Sequence, residues 1–202
     1  LAQQAVMARD RLGIPVVGLD LAGLESGYPA KHHQAAYVFA RSAGLRATVH
    51  AGEAVGVASI EQAVYRLQSH RLGHATHLYA PELQPATSGL HHLLKRRQVP
   101  LEVCVSSNVQ TLSWVRAVQD HPVQHMLRDG LAVTVCTDNR LISRTCVTNE
   151  LFQICTAFRL TWKQLRNLIL CGFYSSFFPG TCYQKRLYIQ QVSSWYDRLS
   201  GE

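Results

Sequence analysis

Five short strand-like runs, each followed by a stretch long enough for a helix, confine this chain to a parallel β/α architecture. The runs are Val16–Asp20, Arg46–His50, a short one ending near His74, Leu101–Val105 and Leu131–Cys136. Parallel neighbours need crossover connections of about a dozen residues or more, not tight hairpins. The connections here supply that length with apolar residues at helical spacing. Lys31 to Ala43 reads as a helix stopped by Gly44. Ala58 to Ser69 reads as a second, with Ile60, Ala63, Val64 and Leu67 on one face. A third runs from about Gln84 to Arg97, and His121-Pro122 opens a fourth that ends at Gly130. Three more helical segments follow, near Thr148–Arg159, Thr161–Cys171 and Tyr183–Leu199, the second capped by Thr161. Phe173–Gly180 reads as an aromatic turn used for packing.

With 202 residues, 47% apolar and 16% charged, the chain has the composition of one globular domain spanning 1–202 and not of a disordered segment. No window approaches the roughly 18 unbroken apolar residues of a membrane helix. The six cysteines form no CxxC pair and several sit in apolar runs, so reduced core thiols in a cytoplasmic setting are expected. A net charge of +7 raises the question of nucleic acid. The basic residues are scattered, however, and Lys95-Arg96-Arg97 falls where a helix ends and its dipole favours cations. No nucleic-acid or membrane partner is expected. The first residue is Leu1, so the sequence reads as starting inside a longer protein, and any leader would be invisible in it.

Three of the strand ends carry chemistry. Thr48-Val49-His50-Ala51-Gly52-Glu53 ends in an imidazole and a carboxylate three residues apart. Arg71-Leu72-Gly73-His74 ends in a second histidine, and Val133 to Asn139 passes through Asp138. Barrel enzymes assemble their sites from the C-terminal ends of parallel strands. Imidazole and carboxylate are the ligands of a catalytic zinc, which keeps one position open for water. His50 and Asp138 are the candidate ligands; Glu53 is placed to move a proton, and His74 to accept a hydrogen bond from the attacking water and orient it. Taken singly, a strand-end histidine is most often structural, and Asp138 could simply cap a turn. The coincidence of three in one β/α series is what points to a metal hydrolase. His32, His33, His91 and His92 read as helix-face residues, His70 as a helix end, and His121 as a helix start. The HExxH and HxE…PCxxC zinc signatures and the GxSxG, GxGxxG and Walker A loops are absent from the sequence.

On these residues the chain resembles the adenosine deaminase family of zinc-dependent TIM-barrel amidohydrolases. Gly18-Leu19-Asp20-Leu21-Ala22-Gly23 resembles its G-D-L-A-G strand end, His50-Ala51-Gly52-Glu53 its HAGE motif, and Arg71-Leu72-Gly73-His74 its R-[IL]-G-H. Ser107-Asn108 and Thr137-Asp138 stand where the family has SN and TD. The resemblance runs from about Val16 to Glu150. It implies an α/β (β/α)8 barrel, represented by strands four to eight with extra C-terminal helices. It implies one Zn²⁺ with His50 and Asp138 as ligands. Glu53 is then the donor to purine N1 as hydroxide attacks C6, His74 stabilises that hydroxide, and Gly23 offers its N–H to the purine, where a residue without a side chain is needed. The reaction implied is deamination of adenosine or 2′-deoxyadenosine.

Two departures stand out. The family's TDDP is Thr137-Asp138-Asn139-Arg140 here; Asn139 has a permanent N–H donor for purine N7, as in bacterial members with TDN. The His-x-His that supplies two further zinc ligands is absent from these residues, and is expected upstream. As written, the fragment is expected neither to close its barrel nor to hold zinc tightly. Adenine or AMP remain alternative substrates, and a non-catalytic nucleoside- or protein-binding remnant is the alternative of another class.

Overall fold

The structure, a computed structural model, describes residues 1–80 and 88–200. After α1 (Ala2–Leu12), β1 (Gly18–Leu21) leads through a 3₁₀ turn (Ala30–His33) into α2 (Gln34–Ser42) and β2 (Arg46–Ala51). There follow α3 (Val57–Glu61), prolonged by a π-helical turn (Gln62–Arg66), β3 (Arg71–His74), α4 (Ser88–Arg97) and β4 (Leu101–Val103). Next come α5 (Val105–Thr111), α6 (Val123–Arg128), β5 (Val133–Val135) and four C-terminal helices. These are α7 (Arg140–Ser143), α8 (Val147–Phe158), α9 (Trp162–Ser175) and α10 (Cys182–Ser200).

The sheet has strand order β1-β2-β3-β4-β5, every neighbouring pair parallel. Register places Val49 against Leu72, Leu72 against Leu101 and Leu101 against Val133. That row points to the helices and is no more than 2% exposed. Ile60, Ala63, Val64 and Leu67 meet it from the helix side, the face expected from their spacing. Each fully buried aliphatic side chain contributes about 1.5–3 kcal/mol of burial free energy.

The opposite face carries Thr48, His50, Arg71, Gly73, Glu102 and Thr134. Here the interior is polar: Thr48 Oγ1 donates to Glu102 Oε2 at 2.7 Å, and Glu102 Oε1 pairs with Arg71 Nε at 2.7 Å. The Arg71 guanidinium lies 3.7 Å from the ring centroid of Phe177. The aromatic segment after α9 thus packs at the N-terminal ends of the strands, away from the strand ends that carry chemistry.

Several boundaries differ from expectation. The strand expected to reach Val105 stops at Val103, because Cys104 turns the chain into α5, a helix that the apolar run concealed. The helix expected from Lys31 begins as a 3₁₀ turn, and that expected to end at Ser69 widens into the π turn. The expected start of a helix near Gln84 lies outside the described residues. Thr161 does cap α9: its Oγ1 accepts from Gln164 N–H at 3.2 Å, while Gln164 Oε1 accepts from Thr161 N–H at 2.9 Å. All six cysteines are free thiols, though Cys146 and Cys182 are exposed, not buried. Among the described residues no helix is long and apolar enough to cross a membrane.

Candidate active site

Side chains converge at the C-terminal ends of β1, β2 and β3. His50, next to last in β2, sits opposite Gly73 of β3. A Cβ on Gly73 would stand 2.8 Å from His50 Cδ2, so only glycine leaves room for the ring. His50 Nε2 is 3.6 Å from Asp20 Oδ2 at the end of β1, and its ring meets that of His74 edge-on at 4.9 Å. Beyond β2, Gly52 takes φ +70°, and a Cβ there would collide with Ile60 at 2.6 Å. This turn brings Glu53 Oε2 to 3.5 Å from His74 Nε2. Ligand atoms of His50, Glu53 and His74 all lie within 4.8 Å of one another.

His74 and Asp138 both have left-handed backbones, φ +62° and +52°. For residues with side chains that conformation costs about 1–2 kcal/mol. His74 is the last residue of β3 and Asp138 lies three residues beyond the end of β5, where the strained backbone aims a polar group across the sheet's end.

A supporting layer holds these groups. Glu25 takes four backbone N–H groups: Gly52 on Oε1 at 2.7 Å, and Glu53, Ala54 and Val55 on Oε2 at 3.1, 2.6 and 3.1 Å. The loop carrying Glu53 is thus wrapped around one carboxylate. From α5, Ser107 Oγ donates to Asp138 Oδ2 at 2.7 Å, and Thr111 Oγ1 donates to Glu53 Oε1 at 2.9 Å. Asn108, between them, bonds His74 Nδ1 at 3.1 Å and, by its Oδ1, His121 Nε2 at 3.1 Å. One short helix therefore touches three of the candidate residues.

Burial shapes the charges. It pushes the Asp20 carboxyl above its ordinary value, with the nearby His50 opposing. It pushes His74, 1% exposed, below the ordinary imidazole value, with Glu53 opposing. His121, equally buried, is pushed down to about 3.

Asp138, expected as a ligand beside His50, is not in the close His50–Glu53–His74 group; it is exposed, and Ser107 draws its carboxylate toward α5. Glu53, expected to stay off the metal, is in that group. Nor does Asp138 cap the following turn. Asn139 does so, its Oδ1 accepting from Leu141 and Ile142 N–H at 3.2 and 3.1 Å. Gly23 lines a cleft of about 560 Å³ with Leu21, Glu25, Tyr28 and His50. A Cβ at Gly23 would meet no atom of this chain within 4 Å, and its φ of +123° favours glycine on backbone grounds as well. A larger hollow, about 960 Å³, opens at the other end of the strands around His70 and Phe177, remote from these groups. Glu25, Thr111 and His121 were not legible as site residues, and Ser107-Asn108 was legible only as a motif without a role. The one available signal was the i, i+4 spacing of Ser107 and Thr111.

The donor set here, two imidazoles and a carboxylate, is of the kind a catalytic zinc accepts. Residues 1–195 match the model of the adenosine deaminase family. The chain belongs to that family. It is 39% identical over 184 residues to an adenosine deaminase of Mycobacterium sp. (strain KMS), a match covering 89% of this chain and 50% of that protein. The chain thus spans about half the length of the curated family members it matches. An adenine deaminase from Arthrobacter aurescens superposes with TM-score 0.81 at 27% identity, over 96% of this chain and 57% of that one. A zinc-bound amidohydrolase from Burkhoderia ambifaria superposes with TM-score 0.83 at 22% identity, over 99% and 55%. The open five-stranded sheet is accordingly a portion of a (β/α)8 barrel, the fold of these deaminases.

Proposed function

We propose that this chain belongs to a zinc-dependent hydrolase that deaminates adenosine and 2′-deoxyadenosine, releasing ammonia and the inosine-type product. The observation that carries this reading is the convergence of His50, Glu53 and His74 within 4.8 Å at neighbouring strand ends, in a chain that matches the family throughout.

Zinc would be the cofactor; from this chain His50 and Asp138 would hold it, as the family resemblance implies, which leaves Glu53 and His74, the other members of the close group, for proton transfer and oxygen stabilisation. When bound, zinc supplies a nucleophile near neutral pH by acidifying water. Glu53, steadied by Thr111 and by the Glu25 loop, passes a proton to purine N1 as the amino-bearing carbon is attacked. His74, its Nε2 3.5 Å from Glu53 Oε2, stabilises the attacking oxygen. Gly23 lines the cleft beside His50, where its backbone N–H meets the purine. Asn139 spends Oδ1 on the α7 cap, which leaves its Nδ2–H donors as the atoms able to meet purine N7. The likeness to an adenine deaminase supports adenine as a second candidate substrate.

The test is zinc-supplemented turnover of adenosine, adenine and AMP, followed by absorbance. It is run on the 202-residue chain and on the product of the longest reading frame containing it. Adenosine turnover by the longer product is expected, falling about a hundred- to ten-thousandfold in Glu53→Gln with zinc retained. Turnover of adenine or AMP alone would move the substrate assignment. No activity in either product would favour a non-catalytic binding remnant, and near-normal Glu53→Gln activity would overturn the proton-donor role.

A further inference from the structure

His121 lies 47 residues beyond His74 in the sequence, yet both rings end on the same amide, that of Asn108. Their polarity can be followed from a group that has no choice. The backbone N–H of Val123 points at His121 Nδ1 at 3.0 Å, and a backbone N–H can only donate. His121 Nδ1 must therefore present its lone pair. Buried to 1% exposure, with its pKa pushed down to about 3, His121 is neutral and carries its one proton on Nε2. That proton goes to Asn108 Oδ1 at 3.1 Å. The other half of the same amide, Nδ2–H, then faces His74 Nδ1 at 3.1 Å and donates to it. Asn108 is 0% exposed and His74 1%, so no bulk water competes for any of these atoms.

We propose that His121 and Asn108 are positioning residues that lock His74 in the tautomer bearing its proton on Nε2, the nitrogen facing Glu53. A neutral His74 so held presents a donor, not the acceptor suggested by its strand-end position alone. It can stabilise an anionic oxygen beside Glu53 but cannot take a proton from water there. The direction is set about the Val123 amide, at the entrance to α6, and reaches the site through α5. The two residues act through His74 and have no need to touch substrate. The inference rests on the proposed deaminase reading for its use, but not for its geometry.

The substitution that tests it is Asn108→Asp. The shape is kept, but a carboxylate accepts from both rings, so His74 must move its proton to Nδ1. The readout is the imidazole ¹⁵N shifts of His74, assigned with a His74→Gln control, in the protein from the longest reading frame. The wild-type protein should show Nε2 protonated and Nδ1 bare. Asn108→Asp should reverse the two. His121→Gln, whose amide N–H can still donate to Asn108, should keep the wild-type pattern, whereas His121→Phe should give a mixture. Turnover should follow the tautomer, with kcat about a hundredfold lower in Asn108→Asp and KM little changed. Wild-type His74 with its proton on Nδ1 would overturn the proposal even if Asn108→Asp failed to fold. An unchanged tautomer in a folded Asn108→Asp would do the same. The expected tautomers in a protein that deaminates no purine would sink the deaminase reading and leave the lock standing.

Discussion

Gly73 is the cross-strand partner of His50, and a Cβ added to it would stand 2.8 Å from His50 Cδ2 and 3.1 Å from His50 Cα. The second distance involves backbone, so the strain cannot be relieved by turning a flexible side chain. Gly73→Ala should therefore tilt the imidazole and lower stability by about 1–3 kcal/mol. Thermal melts, and metal content after zinc loading of the product of the longest reading frame, read both effects; wild-type values for both would refute the packing argument.

Glu25 should prove as important to the site as residues that meet substrate. Its carboxylate gathers the N–H groups of Gly52, Glu53, Ala54 and Val55. Glu25→Gln replaces one acceptor oxygen with an NH₂ that faces N–H groups, at a cost of about 1–3 kcal/mol. Urea denaturation should show the loss. Hydrogen exchange should quicken at the amides of residues 52–55 before it quickens elsewhere.

Thr111→Val removes the donor to Glu53 Oε1 while keeping the side chain's shape. The stability change should stay within about 1 kcal/mol, because a single exposed hydroxyl donor, shared between Glu53 Oε1 and the Ser107 carbonyl, is lost. On the proposed mechanism kcat should fall about tenfold, equivalent to roughly 1.4 kcal/mol, with KM near its original value. A rise in KM alone would show that Thr111 serves binding and not the orientation of Glu53.

Stability should fall as the solution is acidified from about pH 6.5 toward pH 3. His121 is pushed down to about 3 by burial, whereas unfolded histidine titrates near its ordinary value of 6.5. Between those values the unfolded chain binds a proton that the folded chain refuses, so acid favours unfolding. The contribution is fully present above about pH 6.5 and is lost progressively below it. Melting temperature measured across this range should decline, and the decline should be shallower in His121→Gln. Equal slopes in the two proteins would assign the acid sensitivity to other groups.

The parallel β/α order and the buried face of α3 with its π-helical extension were legible because both follow from local periodicity. Apolar residues at Ile60, Ala63, Val64 and Leu67 can share one side only of a helix, and that side met the sheet. The strand-end positions of His50, Glu53 and His74 were legible for a similar reason: in a parallel series the ends of successive strands fall together. What escaped was the start of α5. Cys104-Val105 continues an apolar run, and nothing local marks where extended backbone gives way to helix.

By itself, then, the sequence determined which strands would lie side by side and which reactive groups would stand at their ends, since both depend on chain order and spacing. Only the tertiary structure decided what holds those groups. Glu25 reaches across 27 residues to Gly52, Thr111 across 58 to Glu53, and Asn108 across 34 to His74. It decided too that Asp138 is drawn toward Ser107 while Asn139 caps α7. Such bonds depend on how helices settle against the sheet and on which polar atoms burial leaves needing partners, and no spacing along the chain encodes that.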